Sequence, residues 1–138
     1  MSTGHQMIEP AGLPPAVGFS HAVVPAEGHT VYLAGQIGQR ADGSLSTGLV
    51  EQFAQACRNL QLALAAAGSF PEHVVSLTIY VTDVPSYRAA LRPLGEAYRK
   101  VFGSHYPAMA LIGVDALFEP AAVVELVAIA VVPRQQAD

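Results

Sequence analysis

The chain has 138 residues, of which 51% are hydrophobic and only 13% charged, with a formal net charge of −4. That length makes a single domain with a core of its own, and so little charge points to apolar surface covered by copies of the same chain. The seven basic residues are scattered, only Arg99 and Lys100 being adjacent, which excludes an electrostatic footprint for nucleic acid or an anionic membrane surface. No apolar run is long and unbroken enough to span a bilayer. Residues 1–10 lack the basic and apolar regions of a signal peptide, and the one cysteine, Cys57, allows no internal disulfide. A reducing compartment, the cytoplasm, is the expectation.

In chain order, residues 1–12 read as a loose N-terminal arm. Residues 17–24 alternate weakly as a first strand, Pro25-Ala26-Glu27-Gly28 supplies turn chemistry, and residues 30–34 form a second strand, so an opening hairpin is predicted. Gly35-Gln36-Ile37-Gly38 follows, where glycines permit close backbone approach to another strand or to a ligand. Residues 49–67 are the clearest helix: Val50, Phe53, Ala54, Cys57, Leu60 and Leu64 recur at three- and four-residue steps and make one apolar stripe. Thr47 is the candidate cap, Glu51 sits in the first turn where the macrodipole favours it, and Gly68 supplies the stop.

Residues 74–82 have strong strand propensity. A second helical region opens at Asp83 or Ser86 and ends at Gly103, with a short turn to about Arg92 and a helix restarting at Pro93, which cannot donate within a helix. Residues 107–114 and 123–132 are apolar, β-branched runs that read as a final pair of strands, and residues 134–138 are a tail. The order β-β-α-β-α-β-β with two amphipathic helices implies an α+β domain over 1–138, a mixed sheet with both helices on one face.

Few residue groups carry chemistry. His5, His21, His29, His73 and His105 are dispersed and suggest no metal site. Gly35 and Gly38 follow a strand but lack the lysine and helix of a phosphate loop. Cys57 lies on the apolar stripe and reads as a buried structural thiol. Glu125 differs, because it interrupts an apolar strand, where an unpaired charge is costly. It is either a strand-end carboxylate paired with an arginine, even across a subunit boundary, or a carboxylate at a small pocket that orients or activates water. His21, with Phe19 two residues earlier on the same strand face, is either a packing residue or a proton carrier.

Several motifs then become recognisable together. Ala16-Val17-Gly18-Phe19-Ser20-His21-Ala22, Leu33-Ala34-Gly35-Gln36-Ile37-Gly38, Leu64-Ala65-Ala66-Ala67-Gly68 and Val124-Glu125-Leu126-Val127-Ala128-Ile129-Ala130-Val131, in this order and spacing, resemble the RidA/YjgF family of enamine/imine deaminases. The resemblance implies a chorismate-mutase-like α+β fold and a homotrimer with a cleft at each subunit boundary. It implies hydrolysis of small-molecule enamines and imines to ketone and ammonia, with no metal or organic cofactor. Glu125 matches the carboxylate that positions the attacking water, and Ala34, Gly35, Gln36 and Ile37 match the segment lining the cleft.

The departures gather in that cleft. Met109 stands where the family has the arginine that grips the substrate carboxylate, and Leu111 stands where a cysteine is common. Phe19 replaces an aromatic hydroxyl, His21 a glutamine, Ala34 a serine, Gly95 a helix asparagine, and Val127 a second carboxylate. Losing one partner of a desolvated arginine–carboxylate contact costs about 2–5 kcal/mol, and methionine leaves an adaptable apolar wall instead. The expected protein is therefore a RidA-like hydrolase for an imine, enamine or related carbonyl compound more apolar or larger than 2-iminopropanoate. Glu125 and His21 would be its catalytic residues, and Phe19, Met109 and Leu111 would line an apolar pocket. The alternatives are a non-catalytic trimer that binds a metabolite or a protein, and a general 2-iminopropanoate deaminase despite Met109.

Overall fold

The computed structural model describes residues 2–135. The strands are β1 (Gln6–Ile8), β2 (Ala22–Val24), β3 (Gly28–Tyr32), β4 (Val74–Val81), β5 (Ala108–Gly113) and β6 (Val124–Pro133), and the helices are α1 (Leu49–Ala66), α2 (Val84–Ala89) and α3 (Leu91–Phe102). One mixed sheet runs β3-β6-β4-β5, and β1 and β2 form a separate two-stranded ribbon. The architecture is α+β as expected, with two main helices against one face of the sheet.

The core lies between that face and the helices. Phe53, Cys57, Leu60 and Leu64 of α1 meet Leu94 and Phe102 of α3 over Leu77 and Val81 of β4 and Val124 and Leu126 of β6, all of them buried. Full burial of one such side chain is worth about 1.5–3 kcal/mol. Along β6 burial alternates strictly from Val124 to Ala130, so Glu125, Val127 and Ile129 point to the opposite face, which the chain leaves uncovered.

Helix α1 ends as its sequence dictates. Gly68 takes φ 75°, the Ser69 N–H donates to the Leu64 carbonyl and the Gly68 N–H to the Ala65 carbonyl, a pattern that closes a helix with glycine in the left-handed region. Its start differs from expectation. The N-cap is Gly48 at φ 82°, with no side-chain cap bond, so Thr47 does not cap. The second helical region is split as predicted but earlier. Asp83 caps α2 by accepting from the Ser86 N–H. Pro93 is the third residue of α3, within the first turn, where no internal donor is required.

Three further expectations are corrected. The opening hairpin does not form: β2 pairs with β1 and β3 with β6. Gly28 fits against the Val132 backbone, where a Cβ would stand 2.0 Å from the Val132 carbonyl oxygen. The predicted loose arm contains β1, held by its ladder to β2 and by His5, whose Nε2 lies 3.0 Å from the Val131 carbonyl oxygen. The last two strands are not neighbours. β5 pairs in parallel with β4, β6 pairs antiparallel with β4, and β4 lies between them. A parallel β4–β5 pair needs a crossover, which α2 and α3 provide. In the tail, Arg134 donates to the Glu27 carbonyl and pairs with the Glu27 carboxylate at 2.9 Å; residues 136–138 lie outside the described part.

Candidate functional site

Glu125 sits in mid-sheet opposite Tyr80 of β4, half-buried, on the face turned away from the helices. After β3 the chain continues along β6: the Leu33 N–H donates to the Ala128 carbonyl, and Gln36 and Leu126 exchange two backbone bonds at 2.8 and 2.9 Å. This lays Gly35 directly on Glu125, and a Cβ there would stand 2.1 Å from the carboxylate Oε1. Only glycine fits beneath the carboxylate as it stands. Among the described residues Glu125 has no ion pair, the one salt bridge being Arg134–Glu27, so its oxygens remain open to water.

Two amides of α1 fix this arrangement. The Asn59 amide donates to the Ile37 and Gln39 carbonyls at 3.0 and 2.7 Å. Gln52, buried, donates to the Ala121 carbonyl and accepts from the Val123 N–H at 3.1 and 2.9 Å. One holds the glycine segment, the other the entry to β6. Neither was singled out from the sequence as a site residue, although polar residues seven apart beside an apolar stripe mark one helix face turned toward something polar. Gly38 packs so closely on α1 that a Cβ would stand 2.5 Å from the Gln52 Cα.

The other expected residues lie elsewhere. Met109 pairs with Leu77 and Leu111 with Ile79, so both share the helix face of the sheet and not the face of Glu125. Met109 packs against the core, and Leu111 is exposed near the β5 edge. Phe19 and His21 precede β2 alongside β5, where Ser20 bridges to Ala108. Their rings meet edge to face at 5.0 Å, and His21 Nε2 lies 2.7 Å from the Pro14 carbonyl oxygen. One chain therefore keeps Glu125, with Gly35 laid against it, on one face of the sheet and Met109 and Leu111 on the other, while Ala34, Gln36 and Ile37 flank Gly35 and Phe19 and His21 lie beyond the β5 edge.

Beside Met109 a cavity of about 280 Å3 opens between the helices and β4–β5, walled by Phe53, Tyr87, Leu94, Tyr98 and Tyr106 and reached by Arg99. Tyr98 stacks on Tyr106 at 5.3 Å and donates its hydroxyl to the His105 carbonyl at 2.6 Å. Burial pushes the Tyr87 phenol up to about 12, with Cys57 adding to the shift, so its hydroxyl stays a neutral donor at physiological pH. Burial likewise pushes the Cys57 thiol up to about 12, which makes it a packing group and no nucleophile.

A mixed sheet with helices on one face, carrying a lone strand carboxylate seated on a glycine-containing backbone segment, defines a small α+β domain. The family model described as Endoribonuclease L-PSP matches residues 10–132. A human 2-iminobutanoate/2-iminopropanoate deaminase is 35% identical over 115 residues, which cover 81% of this chain and 80% of that protein. The Rid-family protein YyfB from Yersinia pestis, described as of unknown function, superposes with a TM-score of 0.82 at 36% identity, covering 92% of this chain and 98% of that one. RidA from the Antarctic bacterium Psychrobacter sp. PAMC 21119 gives a TM-score of 0.66 at 32% identity, covering 91% and 98%. The chain belongs to the RidA/YjgF family. No helix among the described residues is long and apolar enough to cross a membrane.

Proposed function

We propose that the protein deaminates a reactive imine or enamine larger or more apolar than 2-iminopropanoate, in a cytoplasmic homotrimer whose clefts lie between subunits. The observation that carries this reading is the division of the site residues: Glu125 faces away from the helices, while Met109 shares the helix face, paired with Leu77. A substrate can touch both groups only where a second copy meets the first. The uncovered sheet face supports the same reading, because it presents Val127, Ile129 and Ile112, the last 43% exposed. The curated relatives support the reaction class, since the human relative carries a deaminase name.

In this reading Glu125 takes a proton from a water whose oxygen attacks the imine carbon. The carbinolamine then collapses, the C–N bond breaks, nitrogen leaves as ammonia after receiving a proton, and a ketone remains. The Gly35 and Gln36 backbone holds the reacting atoms against the carboxylate. His21 is the second proton carrier: Nε2 faces the Pro14 carbonyl, so that nitrogen carries the hydrogen and Nδ1 is left to exchange protons.

The test uses mixed trimers. Glu125→Gln subunits and subunits whose pocket is blocked by Met109→Trp should each be inactive toward larger imines, and mixing them should restore part of the ammonia release. If each variant alone keeps wild-type turnover, or mixing restores nothing, the shared catalytic cleft is wrong. A stable monomer in solution would also defeat it. General deamination of 2-iminopropanoate is the second reading, favoured by the relatives' names. Rapid release of ammonia from freshly generated 2-aminoacrylate, surviving Met109→Ala, would establish it instead. A ribonuclease reading, suggested by the description of the family model, finds no support in a chain with seven scattered basic residues and a net charge of −4.

A further inference from the structure

The cavity beside Met109 is apolar and aromatic, with one exception. Arg99 reaches it from α3, and its guanidinium lies across Gly95, where an added Cβ would stand 3.0 Å from one of the guanidinium nitrogens. Glycine inside a helix weakens it relative to alanine, and here it leaves the room through which the arginine crosses. No carboxylate lines the cavity, and among the described residues Arg99 has no ion pair. The cavity therefore carries a single positive charge against a wall of tyrosine, phenylalanine, leucine and methionine. A cavity of about 150 Å3 holds a benzene ring, so 280 Å3 has room for a ring or branched chain together with a short acid head.

We infer that Arg99 supplies the anion anchor that β5 lacks, and that the cavity binds a carboxylate carrying an aromatic or large aliphatic side chain. The acid head meets the Arg99 guanidinium at the mouth. The side chain enters between Tyr87 and Met109, where the flexible thioether adapts to it. As a statement of substrate class, an imino acid with a bulky apolar side chain, this rests on the deaminase reading above. As a binding site it stands without that reading.

The test is calorimetric titration of the full chain with 3-phenylpropanoate, propanoate and 3-phenylpropan-1-ol, in which nothing is turned over. The aromatic acid should bind at least tenfold more tightly than either control. Arg99→Gln should weaken the aromatic acid at least tenfold and leave the alcohol unchanged. Gly95→Ala, whose methyl group would stand 3.0 Å from a guanidinium nitrogen and nudge it by a few tenths of an ångström, should weaken the aromatic acid by less than Arg99→Gln does. Equal binding of the aromatic and short acids, or unchanged binding by Arg99→Gln, overturns the inference. A protein that binds the aromatic acid through Arg99 but releases no ammonia from any imine keeps this inference and loses the deaminase; the reverse result does the opposite.

Discussion

Replacing Gly35 by alanine should separate stability from activity. The new methyl would stand 2.1 Å from Glu125 Oε1, 2.9 Å from its Cδ and 3.2 Å from its Cγ, so the obstacle is the far end of a flexible side chain and no backbone. Rotating that side chain off its preferred rotamer costs about 0.5–1.5 kcal/mol. Gly35 has no positive φ, so alanine also recovers about 0.4–1 kcal/mol by restricting the unfolded chain. The two effects nearly cancel. At about 3–5 °C per kcal/mol for a chain of this length, Tm should move by no more than about 5 °C. The carboxylate, however, must shift by an ångström or more, and a displacement of that size costs on the order of a hundredfold in rate. Thermal melts together with coupled ammonia release measure both. In a Glu125→Ala background the obstacle is gone, so the same substitution should leave ammonia release unchanged and raise Tm by about 1–5 °C, the unfolded-chain effect alone. A fall in Tm beyond about 10 °C would mean that the backbone yields instead. Wild-type turnover with an unchanged Tm would mean that the position of the carboxylate does not matter. Either result refutes the reasoning.

Gln52→Leu keeps the volume but strands the Ala121 carbonyl and the Val123 N–H, both partly buried; the expected loss is about 1–3 kcal/mol, read as a lower urea midpoint at unchanged slope. Met109→Arg introduces the cation that the family resemblance implies for this position, and should raise activity on 2-iminopropanoate at least tenfold over wild type while lowering it on larger apolar imines; no change in that ratio would remove Met109 from the specificity argument. His73 titrates below its ordinary 6.5, first because burial disfavours its charge and then because His5 lies nearby. The unfolded chain therefore takes up the proton before the folded one, so stability present above pH 6.5 is lost as the pH falls below it. Protonation also removes Nδ1 as the acceptor of the Phe70 N–H. Melts from pH 7.5 down to 5.5 should show a smaller decline for His73→Asn than for wild type, and equal declines would contradict the assignment.

Much of this protein is written locally. The stripe from Val50 to Leu64 and the glycine at 68 specify α1 and its end, because both depend on residues within a few turns of one another. The alternation through β6 singles out Glu125 in the same way, since neighbouring strand residues must face opposite sides. The order of elements carried the α+β architecture, because the apolar stripes of two amphipathic helices must be buried against the sheet. Pairing partners were not legible. β5 and β6 look like a closing hairpin in the sequence, yet β4 separates them, because the α2–α3 crossover returns the chain in parallel beside β4. The opening hairpin failed likewise, since β3 finds in β6 a longer and more apolar partner than β2. Only the folded chain revealed that Asn59 and Gln52 brace the site, that Gly95 makes way for Arg99, and that Met109 and Glu125 lie on opposite faces of one sheet. Those facts depend on which strands become neighbours, and strand neighbours are chosen by contacts between residues far apart in sequence.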